Sequence, residues 1–311
     1  KIKLIIEGKY MPKRKEKKKQ KPEKNVFSPD PNTPHETLVA MSGALKKHML
    51  FQPHPKTQHQ TLVTMSGAIQ AGVVFLPHPN TPHGTLVAMS KEIKRGVVFH
   101  PHPETPADTL VAMSAVISPE VHFHPNPRIQ HHTLVEMSLK LNPGVVFDPH
   151  PDTHHDTLVE MASKLMAGVV FHPHPKTQKD ALVAMSKALG EGILFCPRSK
   201  TPAKTLVIMS TVIKPGVIFF PIPKIQHDTL VAMSEALGKG VFFHPHPDTP
   251  KEALIEMSRE IKPGVNFIPH SGTPHATLVA MSKVINPGVK FIPESDTPHE
   301  TMVAMSAVVK P

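Results

Sequence analysis

Phenylalanine recurs every 24 residues, twelve times without an insertion or deletion, from Phe27 through Phe51 and Phe75 to Phe291. A period this strict constrains the fold more than any other feature of the chain. A unit of that length cannot bury an apolar face alone, so successive units must stack and share one continuous core. With Phe as position one, the unit reads approximately F-x-P-H-P-x-T-P-H-x-T-L-V-A-M-S-x-x-I-x-P-G-V-V. A length of 311 residues would by itself suggest two domains. The repeat replaces that expectation with one solenoid over residues 27–311, preceded by a basic tail over residues 1–26. The chain holds 36 Pro, but most fall on fixed columns, which separates it from Pro-rich disordered chains.

The second half of each unit reads as a helix. Thr at position seven is a good N-cap, and the Pro that often follows suits the first helical position. Glu or Gln at position ten, as at Glu36, Gln60 and Glu252, would complete a capping box. Leu at twelve, Met at fifteen, Ser at sixteen and Leu or Ile at nineteen share one face, and a Gly three residues later stops the helix. The joining segment, G-V-V-F-x-P-x-P, has period two: positions twenty-three, one and three on one side, twenty-four, two and four on the other. Val-Val-Phe after Gly favours a strand, and prolines at three and five limit it to about three residues. The predicted fold is an α/β tandem-repeat solenoid of twelve units, each with a short extended segment and one helix. Strands about 4.8 Å apart and helices about 8–10 Å apart would bend the array with the strand side inward. The alternative is an all-α superhelix in which the joining segment is a 3₁₀ turn.

The residues Asp30–Pro31–Asn32–Thr33–Pro34, Asn126–Pro127 and His54–Pro55–Lys56–Thr57, followed by T-L-V-A-M-S as in Thr85–Ser90, carry a family likeness. The unit resembles the leucine-rich variant repeat, whose pattern places N-P-x-T-P before a helix with spaced leucines. The likeness covers residues 27–311. It implies a helix-plus-3₁₀ architecture and no single function. The Asp-Pro and Val-Arg elements that follow the helix in that family have no counterpart here.

The net charge of +10 is concentrated at one end. Residues 1–25 hold eleven Lys/Arg against three Glu, or +8, and the remaining chain holds 24 Lys/Arg against 22 Asp/Glu, or +2. Lys13, Arg14, Lys15, Lys17, Lys18, Lys19 and Lys21 form a run suited to nucleic acid or another acidic surface. Cys196 is the only cysteine, which excludes a disulfide framework and a cysteine metal site and fits a reducing compartment, cytoplasmic or organellar. No apolar run approaches the length of a membrane span.

Two columns hold most of the 23 histidines. Position four carries His54, His78 and His102 among others, and position nine His35, His59 and His83. Stacked imidazoles suit Zn or Cu. Asn126, Arg198, Ile222 and Glu294 interrupt the position-four ladder, so the sequence predicts a hydrated polar face with no bound metal and no cofactor. The Met column, Met41 to Met305, reads as core. No nucleophile triad, acid pair or phosphate loop stands out, and the chain is expected to be a non-enzyme. Positions two and four turn apolar at Cys196, Phe220 and Ile222, flanked by Leu194, Ile218 and Phe242 at position twenty-four, with Leu76, Ile268 and Ile292 as scattered apolar residues elsewhere in these columns. Such a patch predicts a docking surface. The expected function is a scaffold for a protein partner, with the tail as second anchor and membership of a larger assembly open. The alternative is a modular RNA reader using one base per repeat, against which stand the near-neutral body and the absence of Trp.

Overall fold

The computed structural model describes residues 26–309 except Pro223. Within them twelve two-residue strands alternate with twelve helices, from β1 (Val26–Phe27) and α1 (His35–Gly43) to β12 (Lys290–Phe291) and α12 (His299–Ser306). The strands form one parallel sheet in sequence order, each Phe in register with the next. Each helix packs on its neighbours in the chain. The molecule is an α/β tandem-repeat solenoid, and the all-α alternative does not describe it. The first strand begins at Val26, one residue before the boundary drawn from the Phe column. The basic run from Lys13 to Lys21 lies outside the described residues.

Three backbone ladders run the length of the array. The position-twenty-four N–H donates to the position-twenty-three carbonyl of the preceding unit, as Val74 N to Met49 O at 2.9 Å. The position-two N–H donates to the preceding Phe carbonyl, as Leu76 N to Phe51 O at 2.9 Å. The position-twenty-two N–H donates the other way, to its counterpart in the following unit, as Gly72 N to Gly96 O at 2.7 Å. The strands can be very short because these bonds extend backbone pairing on either side of them.

Below the sheet the Phe rings form a single stack, with neighbouring centroids 5.5–6.2 Å apart. Phe51 through Phe267 are fully buried. The helical columns face opposite neighbours, as the two ends reveal. In the first unit Leu38 is buried while Met41 is 40% exposed; in the last, Met305 is buried while Met302 is 37% exposed. Position twelve therefore packs toward the following unit and position fifteen toward the preceding one. The Met column is core as expected, except at Met41. The Ser at position sixteen is buried in every unit that has one except the last, and in most units its hydroxyl donates to the carbonyl four residues back, as Ser66 Oγ to Leu62 O at 2.9 Å.

Helix entry differs from the sequence expectation. The N-cap is position eight, Pro34 in the first unit and Gln58 in the second, with no side-chain cap bond. The position-seven N–H instead closes a turn, as Thr57 N to His54 O at 3.1 Å. That turn directs the Thr side chain inward: Thr57, Thr105 and Thr177 are buried with hydroxyls that find no partner among the described residues. Position-ten acids therefore have no capping Thr to complete. Helices such as α2 (His59–Ala68) and α3 (His83–Glu92) also end earlier than expected, with position nineteen extended, as at Ile69 (ψ 147°).

The Gly at position twenty-two sits in the turn that follows, not at the helix end. Val73 N donates to Gln70 O across it at 3.1 Å. Pro before Gly with φ near +80° is the pattern of a type II turn, as at Gly144 (φ +83°) after Pro143. Two units break the rule: His48 (φ 71°) and Glu120 (φ 63°) adopt the same left-handed conformation with a side chain. That conformation costs an L-residue roughly 1–2 kcal/mol. His48→Gly and Glu120→Gly should therefore each raise stability by about 1 kcal/mol. Glu120→Gly also removes an ion pair with Arg95, but at 3.9 Å and with both side chains exposed that pair contributes little. Urea denaturation of each single variant measures the gain; a drop in stability for both would mean the turn conformation is wrong.

Candidate functional site

On the strand segments, positions twenty-three, one and three are buried, while twenty-four, two and four are half-buried, as in Val73, Phe75 and Pro77 against Val74, Leu76 and His78. The variable columns thus share one surface, the sheet face turned away from the Phe stack. These columns change from unit to unit, so each unit displays its own side chains on that face.

Most histidines serve the frame. At position four the ring Nδ1 accepts the backbone N–H two residues on, as from Lys56 to His54 at 3.2 Å and Glu104 to His102 at 3.2 Å. Asp30 and Asn126, which replace His in this column, accept the equivalent bond through a side-chain oxygen at 2.9 and 3.0 Å. Position-four His is therefore a turn acceptor equivalent to Asn or Asp. At position nine the ring Nδ1 meets the position-eleven Thr hydroxyl of the next unit at 2.8 Å, as His59 with Thr85 and His131 with Thr157. Where that Thr is replaced, Ala181 and Ala253 offer no hydroxyl to His155 and His227; His227 turns to Glu256 at 2.7 Å instead.

The histidines of positions two and twenty-four do something else. Asp148, 2% exposed, lies at the centre of a cluster drawn from several units. His122 Nδ1 is 3.0 Å and His124 Nε2 2.8 Å from its Oδ2. Arg198 pairs with its Oδ1 through Nη2, and His172 Nδ1 stands 3.7 Å from the same oxygen. Burial alone would push the Asp148 carboxyl up; the bonds from His122 and His124 and the charges of His124 and Arg198 outweigh it and hold the group well below the usual carboxylate range. Burial pushes His172 down to about 4, opposed by Asp148 and reinforced by Arg198. His100 stacks on His124 at 5.0 Å and extends the cluster along the face. The donor atoms of His122, His124 and Asp148 all lie within 4.8 Å of one another.

A smaller acidic centre lies further along. Glu294 Oε1 is 3.0 Å from His244 Nε2, and its Oε2 accepts the Ser271 N–H at 2.7 Å. His244 stacks on His270 at 5.6 Å. Burial pushes His244 down, against the pull of Glu294.

Between the two centres lies the apolar stretch. Leu194, Ile218 and Phe242 are neighbours across β8 (Leu194–Phe195), β9 (Ile218–Phe219) and β10 (Phe242–Phe243). All three are half-buried, as are Phe220 and Ile222. Phe220 meets His244 and His246 edge-on at 5.1 and 5.7 Å, and Ile222 packs in part on the core. Cys196 departs from the sequence expectation: it is 5% exposed, and burial pushes its thiol up to about 12. It is a small apolar filler, and five of the six patch residues remain on the surface.

The sequence reading did not anticipate the Asp148 centre. Its signals were present: position twenty-four is apolar in nearly every unit yet carries His122, position two reads His, His, Asp, His from His100 to His172, and Arg198 interrupts the position-four histidines. The polar face is organised around a buried carboxylate and is not simply hydrated. No helix of the described residues is long and apolar enough to cross a membrane. In comparison with known proteins, the sequence matches no family model and no curated protein.

Proposed function

We propose that this solenoid is a non-enzymatic scaffold that binds a protein partner along the sheet face formed by positions twenty-four, two and four. The supporting observation is that this face changes from unit to unit in apolar, acidic and imidazole character while the opposite side of each strand repeats the same buried Phe. On that face, an apolar stretch centred on Phe220 lies between two clusters of charge and imidazole. Surfaces with an apolar centre and a polar surround are characteristic of protein interfaces. The basic tail is the second anchor, on an acidic surface of the same assembly.

A modular RNA reader would need a basic, stacking face. The repeat body carries only +2, and the acidic Asp148 and Glu294 sit on that face. Affinity capture from the native source, scored separately for protein and nucleic acid, tests the assignment. Deleting residues 1–24 should abolish retention of RNA or DNA and leave the circular dichroism of the solenoid unchanged. Nucleic acid held by the full chain should be released steeply with salt. Tight, sequence-defined RNA binding by the tailless chain at physiological salt would make the reader assignment the correct one.

A further inference from the structure

We propose that His122, His124 and Asp148 form a binding site for a divalent first-row transition ion of the Zn²⁺ type, bridging two adjacent units of the sheet. Most position-four and position-nine histidines are committed to turns and to the Thr ladder; His122 and His124 serve neither. They flank buried Phe123, so both rings rise from the same side of β5 (His122–Phe123). Asp148 follows β6 (Val146–Phe147) on the neighbouring unit. The donor set is thus two imidazole nitrogens and one carboxylate oxygen, a combination that suits Zn²⁺ or Cu²⁺ and not Ca²⁺ or Mg²⁺.

The geometry is close to what coordination requires. A tetrahedral ion with bonds of about 2.0–2.1 Å holds its donors about 3.3 Å apart. Here His122 Nδ1 and His124 Nε2 stand 3.0 and 2.8 Å from Asp148 Oδ2, with all three donors within 4.8 Å. The rings are 36% and 27% exposed at the side chain, so they can lengthen their contacts with Oδ2 by a few tenths of an ångström and turn their nitrogens, now within 4.8 Å, toward tetrahedral spacing, while the carboxylate at 2% is fixed. Arg198 binds Oδ1 and so fixes the orientation of the carboxylate while leaving Oδ2 to the ion, the part played by outer partners in metal sites. Its positive charge lowers affinity, so the site is of moderate strength. Three protein donors leave one position open on the sheet face, where water or a partner side chain completes the set.

The test uses untagged full-length chain, stripped with chelator and titrated with Zn²⁺ calorimetrically, and with Co²⁺ by visible absorption. Binding of one equivalent at moderate affinity is expected, with the intense visible bands of tetrahedral Co²⁺ and no response to Mg²⁺ or Ca²⁺. Asp148→Asn and His124→Ala should each weaken Zn²⁺ more than about 100-fold, since even outer-partner losses cost 10–100-fold. His154→Ala, whose side chain is 76% exposed, should change nothing. Circular dichroism checks each variant; His124→Ala, at a part-exposed ring, decides the matter if Asp148→Asn does not fold. Absence of stoichiometric binding, or several ions per chain unaffected by either variant, would place the metal on scattered histidines and overturn the site.

Discussion

Phe219→Asp should unfold the units around it, whereas Phe220→Asp, one residue along the chain, should leave them standing. Phe219 is 0% exposed and stacks on Phe195 and Phe243 at 5.7 and 5.9 Å. Truncating a buried Phe costs about 3–5 kcal/mol, and a carboxylate left in its place adds an unpaired buried charge. Phe220 is half-buried on the opposite side of the strand segment. A carboxylate there would lie beside His244 and His246 and could pair with them. We therefore expect a stability cost of about 1 kcal/mol for Phe220→Asp. Its binding cost is larger. Covering a large apolar side chain is worth roughly 1.5–3 kcal/mol, and about half that where the side chain is already half covered. Phe220→Asp combined with Ile222→Asp should then weaken binding of the protein partner by about 10- to 100-fold, at 1.4 kcal/mol per factor of ten. Chemical denaturation beside capture with wild-type and double-variant bait separates the two effects. If Phe220→Asp melts the chain as severely as Phe219→Asp, the apolar stretch is core and the docking surface lies elsewhere. Proteins retained equally by both baits would have the same consequence for the docking assignment.

Removing 24 residues should do less harm than removing one. Excising residues 76–99 joins Phe75 to His100 in phase. Phe75 can then stack on Phe123, His59 can meet the Thr109 hydroxyl, and Gly72 N can reach the Glu120 carbonyl, each by the geometry its column already uses. In a nearest-neighbour array the loss is one unit and one interface, so unfolding cooperativity should fall by roughly a tenth with the midpoint almost unmoved. Deleting Ala88 alone turns the rest of α3 by about 100°. Met89, 1% exposed, and Ser90, 0% exposed, would turn away from the core together. Losing a buried Met side chain costs about 2–5 kcal/mol, so this unit should melt well before its neighbours. Urea melts followed by circular dichroism would show a single transition for the excision and a split or early one for the point deletion. The reverse order would mean that the 24-residue phase does not set the packing.

Several features were readable from residues alone because they repeat. A side chain at a fixed column meets the same column one unit away, so the Phe stack, the buried Met column and the parallel sheet follow from the period and the apolar pattern. Val-Val-Phe after Gly favoured strand over 3₁₀ turn, and the position-twenty-two N–H ladder together with the strand ladders makes that choice physically sound. Helix entry was misread because Thr followed by Pro has two solutions. The second, a turn closed by the Thr81 N–H on His78 O, sends the Thr inward and leaves Pro82 as the N-cap residue with no side-chain cap bond.

The centre at Asp148 is different in kind, since it depends on contacts between columns. His122 at position twenty-four and Asp148 at position two are 26 residues apart, and Arg198 at position four is 50 residues from Asp148. Column-by-column reading places each on the correct face but gives no reason for them to meet. Their meeting depends on how far each side chain reaches across neighbouring strands, and on burial that makes an unpaired carboxylate costly enough to gather every nearby donor. The order of residues was enough to set the solenoid, its phase and its display face. Which displayed residues join in one cluster was settled by the folded arrangement, because pairing across strands depends on distance and dielectric, and neither follows a 24-residue period.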